Sequence, residues 1–207
     1  MNIKQSQIDK LIRDTQNGNA DAFGEVYDIY FQQIYKYVYY KVSEQHVEDL
    51  VSSIFIKTWT NISKYKKSKF PFKAWLFRIA HNAVIDHYRT NKAYYELEDR
   101  YADESSQIDP KHLLEKTLTG ERIHRALGHL EKKYHEVVVL KFLNGLSNRE
   151  IANVLGSNEG NVRTLQFRAL KKMRVILEDE EQAAEDIFLQ KKSKKSEKSF
   201  LKRIFAG

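Results

Sequence analysis

The sequence predicts an all-α protein: two small helical domains joined by a flexible acidic linker, the C-terminal one a helix-turn-helix. Three observations point there. Two prolines and eight glycines in 207 residues are too few for a turn-rich β fold. Apolar residues return every third or fourth position over most of the chain, the period of an amphipathic helix. Charge also falls in blocks. Residues 63–92 carry eight Lys or Arg against one acid, Asp86, whereas residues 93–111 carry six acids against Arg100 and Lys111. The acidic stretch lacks apolar periodicity and ends near Pro110, so it reads as a linker. The expected division is a domain over 1–92, the linker over 93–111, a second domain over 112–177 and a charged tail over 178–207.

Several helices are legible in the first domain. Leu11, Ile12, Phe23, Val26, Tyr27, Tyr30, Phe31, Ile34, Tyr35 and Val38 keep helical spacing, broken around Asn17-Gly18-Asn19. Ser43 is placed to cap the next helix. There Val47, Leu50, Val51, Ile54, Phe55, Thr58, Trp59 and Ile62 form one apolar stripe, and Glu48, Asp49, Ser52, Ser53 and Lys57 lie opposite. A lysine-rich loop follows, and Pro71 suits the first turn of another helix. In that helix Phe72, Trp75, Leu76, Ile79, Ala80 and Ala83 face inward, leaving Arg78, His81, Asn82, Asp86 and Arg89 on the other side.

The second domain has the clearest signals. Tyr134 to Leu143 is an apolar helix, interrupted by Asn144-Gly145-Leu146. Ser147 and Glu150 have the spacing of a capping box, in which each side chain satisfies a free amide at a helix start. The short helix from Asn148 to Leu155 buries Ile151, Ala152, Val154 and Leu155. Gly156 permits the left-handed turn that a Cβ resists, and small Ala152 allows close helix approach. Asn158 caps the final helix, expected to run to about Ile176, with Val162, Leu165, Ala169 and Met173 inward. Arg163, Thr164, Gln166, Arg168, Lys171 and Lys172 are left outward. A recognition helix in a major groove uses such groups: Arg bonds guanine and Gln bonds adenine bidentately, and lysines further along meet phosphates. An ordinary helical hairpin with solvated charges is the competing reading. The capping box, Gly156 and the basic face together weigh against it.

Composition narrows the partner. A formal net charge of +7 favours a polyanion, nucleic acid or membrane surface. The absence of cysteine excludes disulfides and thiolate zinc sites. The histidines show no paired ligand spacing, so no metal site, cofactor, catalytic residue or small-molecule substrate is expected. The N-terminal stretch lacks the apolar core of a signal peptide, and no apolar run approaches the roughly 20 residues of a membrane span. A cytoplasmic protein is the expectation.

Four stretches, in this order, resemble the bacterial sigma-70 family of sigma factors, and within it the extracytoplasmic-function group. Asn17 to Phe23 with Tyr27 and Tyr30 resembles the family's opening helix. Val47 to Val51 with Phe55 and Trp59 resembles its polymerase-binding helix. Phe72 to Asn82 with Asp86 and Arg89 resembles the helix at the −10 promoter element. Leu146 to Ala152, Leu155-Gly156, Val162-Arg163 and Arg168-Ala169 resemble the −35 reader. The resemblance implies a subunit that joins core RNA polymerase, directs it to promoter DNA and helps open the duplex, making no bond itself. It implies polymerase contacts from Glu48, Asp49, Ser52 and Ser53. The family often has Gln and an acid where this chain has Ser52 and Ser53, which makes Asp49 the stronger candidate. An anti-sigma factor is a partner implied by the group alone.

For the −10 element the expected residues are Lys64, Tyr65, Lys66, Lys67, Lys69, Phe70, Arg78, His81, Asn82 and Arg89. Lysines can follow phosphates while aromatic walls accept unstacked bases. Phe72 and Trp75 fit the core better than a stacking platform, and the tyrosines of 35–40 fit packing plus polymerase contact. The rival classes are a stand-alone helix-turn-helix regulator of duplex DNA and a nucleic-acid enzyme. The first leaves residues 63–92 without a role. The second needs acids clustered for metal at a basic surface, whereas the acids here crowd into the linker and tail. The tail, with six acids over 178–186 and then a lysine run, reads as disordered. Phe200, Leu201, Ile204 and Phe205 alternatively line a short basic amphipathic helix.

Overall fold

The computed structural model describes residues 4–67, 70–90, 118–179 and 182. The predicted linker and all of the tail beyond 179 except residue 182 lie outside the described residues, as does Lys69. Within them every regular element is a helix. An N-terminal unit contains α1 (Gln5–Gln16), α2 (Ala20–Tyr39), α3 (Val47–Asn61) and α4 (Phe72–Thr90). A C-terminal unit contains α5 (Leu118–Gly128), α6 (Lys132–Val138), α7 (Asn148–Leu155) and α8, helical over 159–179.

Turn chemistry sets the element ends. The break at Asn17-Gly18-Asn19 is as expected: Gly18 takes φ +92°, and Asn19 Oδ1 accepts the Ala22 amide at 3.1 Å to start α2. Ser43 differs from expectation. It precedes the helix, but its hydroxyl makes no capping bond and is buried without a partner among the described residues. The chain instead enters α3 through a single 3-10 turn, Glu44–His46. Pro71 stands one residue before α4 and its carbonyl accepts the Trp75 amide at 3.2 Å.

In the N-terminal unit α1 packs on α2, α2 on α3, and α3 on α4. Ile34, Tyr37, Ile54, Phe72, Leu76 and Phe77 are fully buried at the centre. Burying side chains of this size stabilises by roughly 1.5–3 kcal/mol each, which is why the stripes dominate the fold. Trp59, expected inward, stays 39% exposed and packs its ring 5.0 Å from Phe23 at the rim.

The C-terminal unit is built on Leu127, Val137, Leu140, Leu146, Ile151, Val162 and Ala169. The predicted helix from Tyr134 is really two segments: α6 runs into a π-helical turn, Val139–Leu143. Asn144 closes it, its amide and side-chain Nδ2 both donating to the Val139 carbonyl at 3.1 and 3.0 Å. Gly145, at φ +66°, then turns the chain toward α7. The capping box forms as the spacing requires: Glu150 N donates to Ser147 Oγ at 3.2 Å, and Ser147 N to Glu150 Oε2 at 2.7 Å. Asn158 Oδ1 accepts the Asn161 amide at 2.9 Å.

The two units are packed together, which the block pattern of charge does not anticipate. Helix α7 lies on α4, and the π turn lies on α2.

Gly156 sits at φ +61°, and a Cβ built there meets nothing within 4 Å. Gly156→Ala therefore isolates the backbone cost of a left-handed residue. It is expected to lower unfolding stability by about 1–2 kcal/mol, read by chemical denaturation with an unchanged m-value.

Candidate DNA and polymerase interfaces

Helix α8 buries Val162, Ala169 and Met173 and leaves Arg163, Thr164, Arg168, Lys171 and Lys172 exposed. Arg163 and Arg168 are open to a ligand, while Thr164 bonds back to the Gly160 carbonyl at 3.1 Å. Gln166 is different. Its side chain is half-buried, and Nε2 donates to Asn148 Oδ1 on α7 at 2.9 Å. Lys172 is ion-paired with Glu131, whose carboxyl is held below its ordinary value by hydrogen bonds from Lys172 and Lys133. Sequence reasoning passed over Phe167, which stands 73% exposed on the same helix. The signal was available: an apolar residue outside the buried stripe of a cationic helix.

The loop before α4 corrects one expected contact. Tyr65 is only 7% exposed and pins the loop to the core. Its ring lies 5.4 Å from those of Phe72 and Trp75, and its hydroxyl donates to the Phe70 carbonyl at 2.9 Å. Burial first, and then the Asp9 carboxylate, push that phenol up to about 12. Tyr65 is thus unable to stack on a base in this arrangement. Lys64 and Lys66 are exposed, and Lys67 reaches back to α1, 2.6 Å from Asp9 Oδ2. Phe70 is half-buried beside the loop.

Along α4, Arg78, Asn82 and Arg89 are exposed as expected, Arg89 pairing with Asp86 at 3.2 Å. His81 is the second correction. It faces the C-terminal unit instead of solvent, and its Nδ1 lies 3.2 Å from Glu136 Oε1. Lys73, one helical face with it, donates to the Asn144 carbonyl at 2.7 Å. Burial lowers the Lys73 ammonium, and the nearby Glu150 carboxylate partly offsets that.

Helix α3 presents Glu48, Asp49 and Ser52 to solvent, with Ser53 half-buried. The same surface carries Ile56, 64% exposed, one turn beyond Ser52. It belongs to no buried stripe, and for that reason sequence reasoning did not single it out. Among the described residues no three His, Cys, Asp or Glu side chains come together to hold a metal ion, and no helix is long and apolar enough to cross a membrane.

Comparison with known proteins bears on both units. The family model "Sigma-70 region 2" matches residues 26–94, and "Sigma-70, region 4" matches residues 120–173. The chain is 34% identical over 174 residues to the ECF RNA polymerase sigma factor BldN of Streptomyces coelicolor, covering 83% of this chain and 66% of that protein. It is 31% identical over 186 residues to the ECF RNA polymerase sigma factor SigW of Bacillus subtilis, covering 84% of this chain and 99% of that one. Among solved structures, CnrH in complex with the cytosolic domain of CnrY aligns with a TM-score of 0.63 at 27% identity, over 85% of this chain and 99% of that one. With both regions present and SigW matched along nearly its full length, the chain belongs to the extracytoplasmic-function group of sigma-70 RNA polymerase sigma factors, which direct polymerase to promoters for transcription initiation.

Proposed function

We propose that the N-terminal unit attaches this sigma factor to core RNA polymerase and opens the −10 element, and that the C-terminal unit reads the −35 element as duplex. The observation that carries the reading is the free face of α8. Arg163, Phe167 and Arg168 stand out from the helix whose opposite face is locked into the helix-turn-helix core. Arginine suits guanine O6 and N7, and a phenyl ring suits the thymine methyl. Lys171 and Lys172 continue the cationic line toward phosphate. Gln166, held by Asn148, contributes by bracing the two helices.

On α3 the polymerase contact consists of the Asp49 carboxylate with Ile56 as an apolar neighbour, flanked by Glu48 and Ser52. The single strand of the opened −10 element follows Lys64 and Lys66, with Phe70, Arg78, Asn82 and Arg89 along its path. The chain works in the cytoplasm beside polymerase and forms or breaks no bond. An anti-sigma protein is a partner that fits this reading, and the similar CnrH was solved in complex with another protein, the cytosolic domain of CnrY.

Three outcomes are expected. Tagged protein retains core polymerase at low salt, and Asp49→Ala weakens that association about tenfold, the scale of one hydrogen bond to a charged group; retention that is indifferent to Asp49 refutes its role. Arg163→Ala costs about 1–3 kcal/mol and relaxes preference at one or two −35 base pairs in a binding-site selection, whereas a uniform loss across sequences means it grips phosphate alone. Replacing Lys64 and Lys66 with Ala slows open-complex formation and flattens its salt dependence, measured by permanganate reactivity of the −10 strand.

A further inference from the structure

Helices α4, α6, α7 and α8 surround a cavity of about 550 Å³, within the range of roughly 300–1,000 Å³ typical of small-molecule sites. Its body is apolar. Val84 and Ile85 of α4, Leu130 just before α6, Leu155 of α7 and Leu165 of α8 supply aliphatic wall, and Tyr88 supplies a ring. Helical periodicity places Leu155 and Leu165 inward, yet both stay half-buried, and Ile85 stays 50% exposed. Aliphatic groups held this way around one space shed their remaining water when an apolar body fills it.

The charges around that space are unequal. Lys41, Lys132 and Lys133 line it against a single carboxylate, Glu136. Glu136 is already neutralised. It is ion-paired with Lys41, the Tyr37 hydroxyl donates to its Oε1 at 2.7 Å, and His81 Nδ1 lies 3.2 Å from the same oxygen. Burial pushes this carboxyl up, but His81 and Lys41 outweigh it and hold it at about 2. Lys133 is matched by Glu131 at 3.1 Å. Lys132 has no such match: among the described residues no carboxylate pairs with it, and its ammonium lies 5.5 Å from the centre of the Tyr88 ring.

His135 adds a donor. Its Nδ1 accepts from Lys41 Nζ at 3.0 Å. Burial first, then Lys41, depress the imidazole to about 3. The ring is therefore neutral, and its one proton sits on Nε2. Lys132 and His135 are three residues apart on α6, so they share a face of that helix.

An apolar space edged by one unmatched ammonium and one imidazole N–H, with its only acid spent, fits one class of ligand. We propose that this cavity binds a small organic anion of the fatty-acid type, with its chain among Val84, Ile85, Leu155 and Leu165 and its carboxylate on Lys132. The His135 N–H supplies a second donor on that side. Walls from α4 and α8, the helices proposed to meet the −10 and −35 elements, give such a ligand a hold on promoter engagement. That consequence rests on the promoter reading above; the binding itself does not.

Decanoate, kept below its micelle concentration, is a suitable probe for titration calorimetry on the full chain. One-to-one binding is expected. Decan-1-ol, with the same chain and no charge, is expected to bind about tenfold more weakly, the scale of one hydrogen bond to a charged group. Lys132→Glu is expected to weaken decanoate to a similar degree and leave decan-1-ol unchanged. Lys132 is the first residue of α6, where the helix dipole favours an acid, so the fold tolerates this change. Ile85→Trp, which fills the cavity from a half-exposed position, is expected to abolish binding of both. No decanoate binding to the wild type overturns the proposal. So does equal affinity for acid and alcohol, or binding that survives both substitutions. In transcription with reconstituted polymerase, decanoate is expected to change promoter output with the wild type and not with Ile85→Trp. An equal response from both overturns the regulatory consequence. Decanoate binding as expected, with no promoter-directed transcription under any condition, counts against the promoter reading and leaves the ligand site standing.

Discussion

A carboxylate leaves water only if something replaces its hydration, and Glu136 finds its replacements on the other side of an interface. Lys41 supplies charge, Tyr37 a hydroxyl proton and His81 an imidazole nitrogen. Breaking such a cluster by removing one member typically costs several kcal/mol, because the survivor is left buried and unpaired. It accompanies the packing of α7 on α4 and of the π turn on α2, and it turns His81 of α4 toward the C-terminal unit. Hydrophobic burial runs through both units as one apolar cluster, from Ile8 to Met173, and the polar cluster adds direction where they meet. Directional groups are suited to that, since they specify one docking geometry and can be rehydrated when it is given up.

The internal order of each unit is what sets which side chains these surfaces present. The capping box at Ser147 and the left-handed Gly156 fix the angle at which α8 leaves α7, so that Val162, Ala169 and Met173 go inward and Arg163, Phe167 and Arg168 outward. Tyr65 does the equivalent for the N-terminal unit. By burying its ring against Phe72 and Trp75 it holds the lysine loop at the start of α4, leaving Lys64 and Lys66 exposed. Asp49 and Ile56 are exposed on α3, a surface separate in sequence from the lysine loop.

Much of this was legible from residue order alone. Helical stripes, the breaks at Gly18 and Gly156, the capping box and the Asn158 cap are local signals, written within four residues of where they act. The less legible features are those set by distant neighbours. Ser43 has the right type to cap, but the 3-10 turn after it takes the hydroxyl out of reach. Tyr65 sits among lysines and so resembled a stacking residue; the aromatic pair that buries it begins seven residues later. His81 occupies an outward helical position, and only the approach of Glu136, 55 residues on, turns it into an interface group. Gln166 has the chemistry to read adenine, but Asn148 on the adjoining helix claims it. Periodicity describes which way a side chain leaves its own helix and is silent about what arrives from another.

One chain is proposed to place polymerase through two separated promoter contacts. It is tested most directly by mapping, across the genome of its host, where polymerase carrying this subunit is bound. The expected sites lie just upstream of transcription starts and share two sequence motifs, one near −35 and one near −10, with occupancy that falls when Asp49 on α3 is replaced. Single palindromic sites occupied equally well without polymerase would contradict it and describe a stand-alone helix-turn-helix regulator instead.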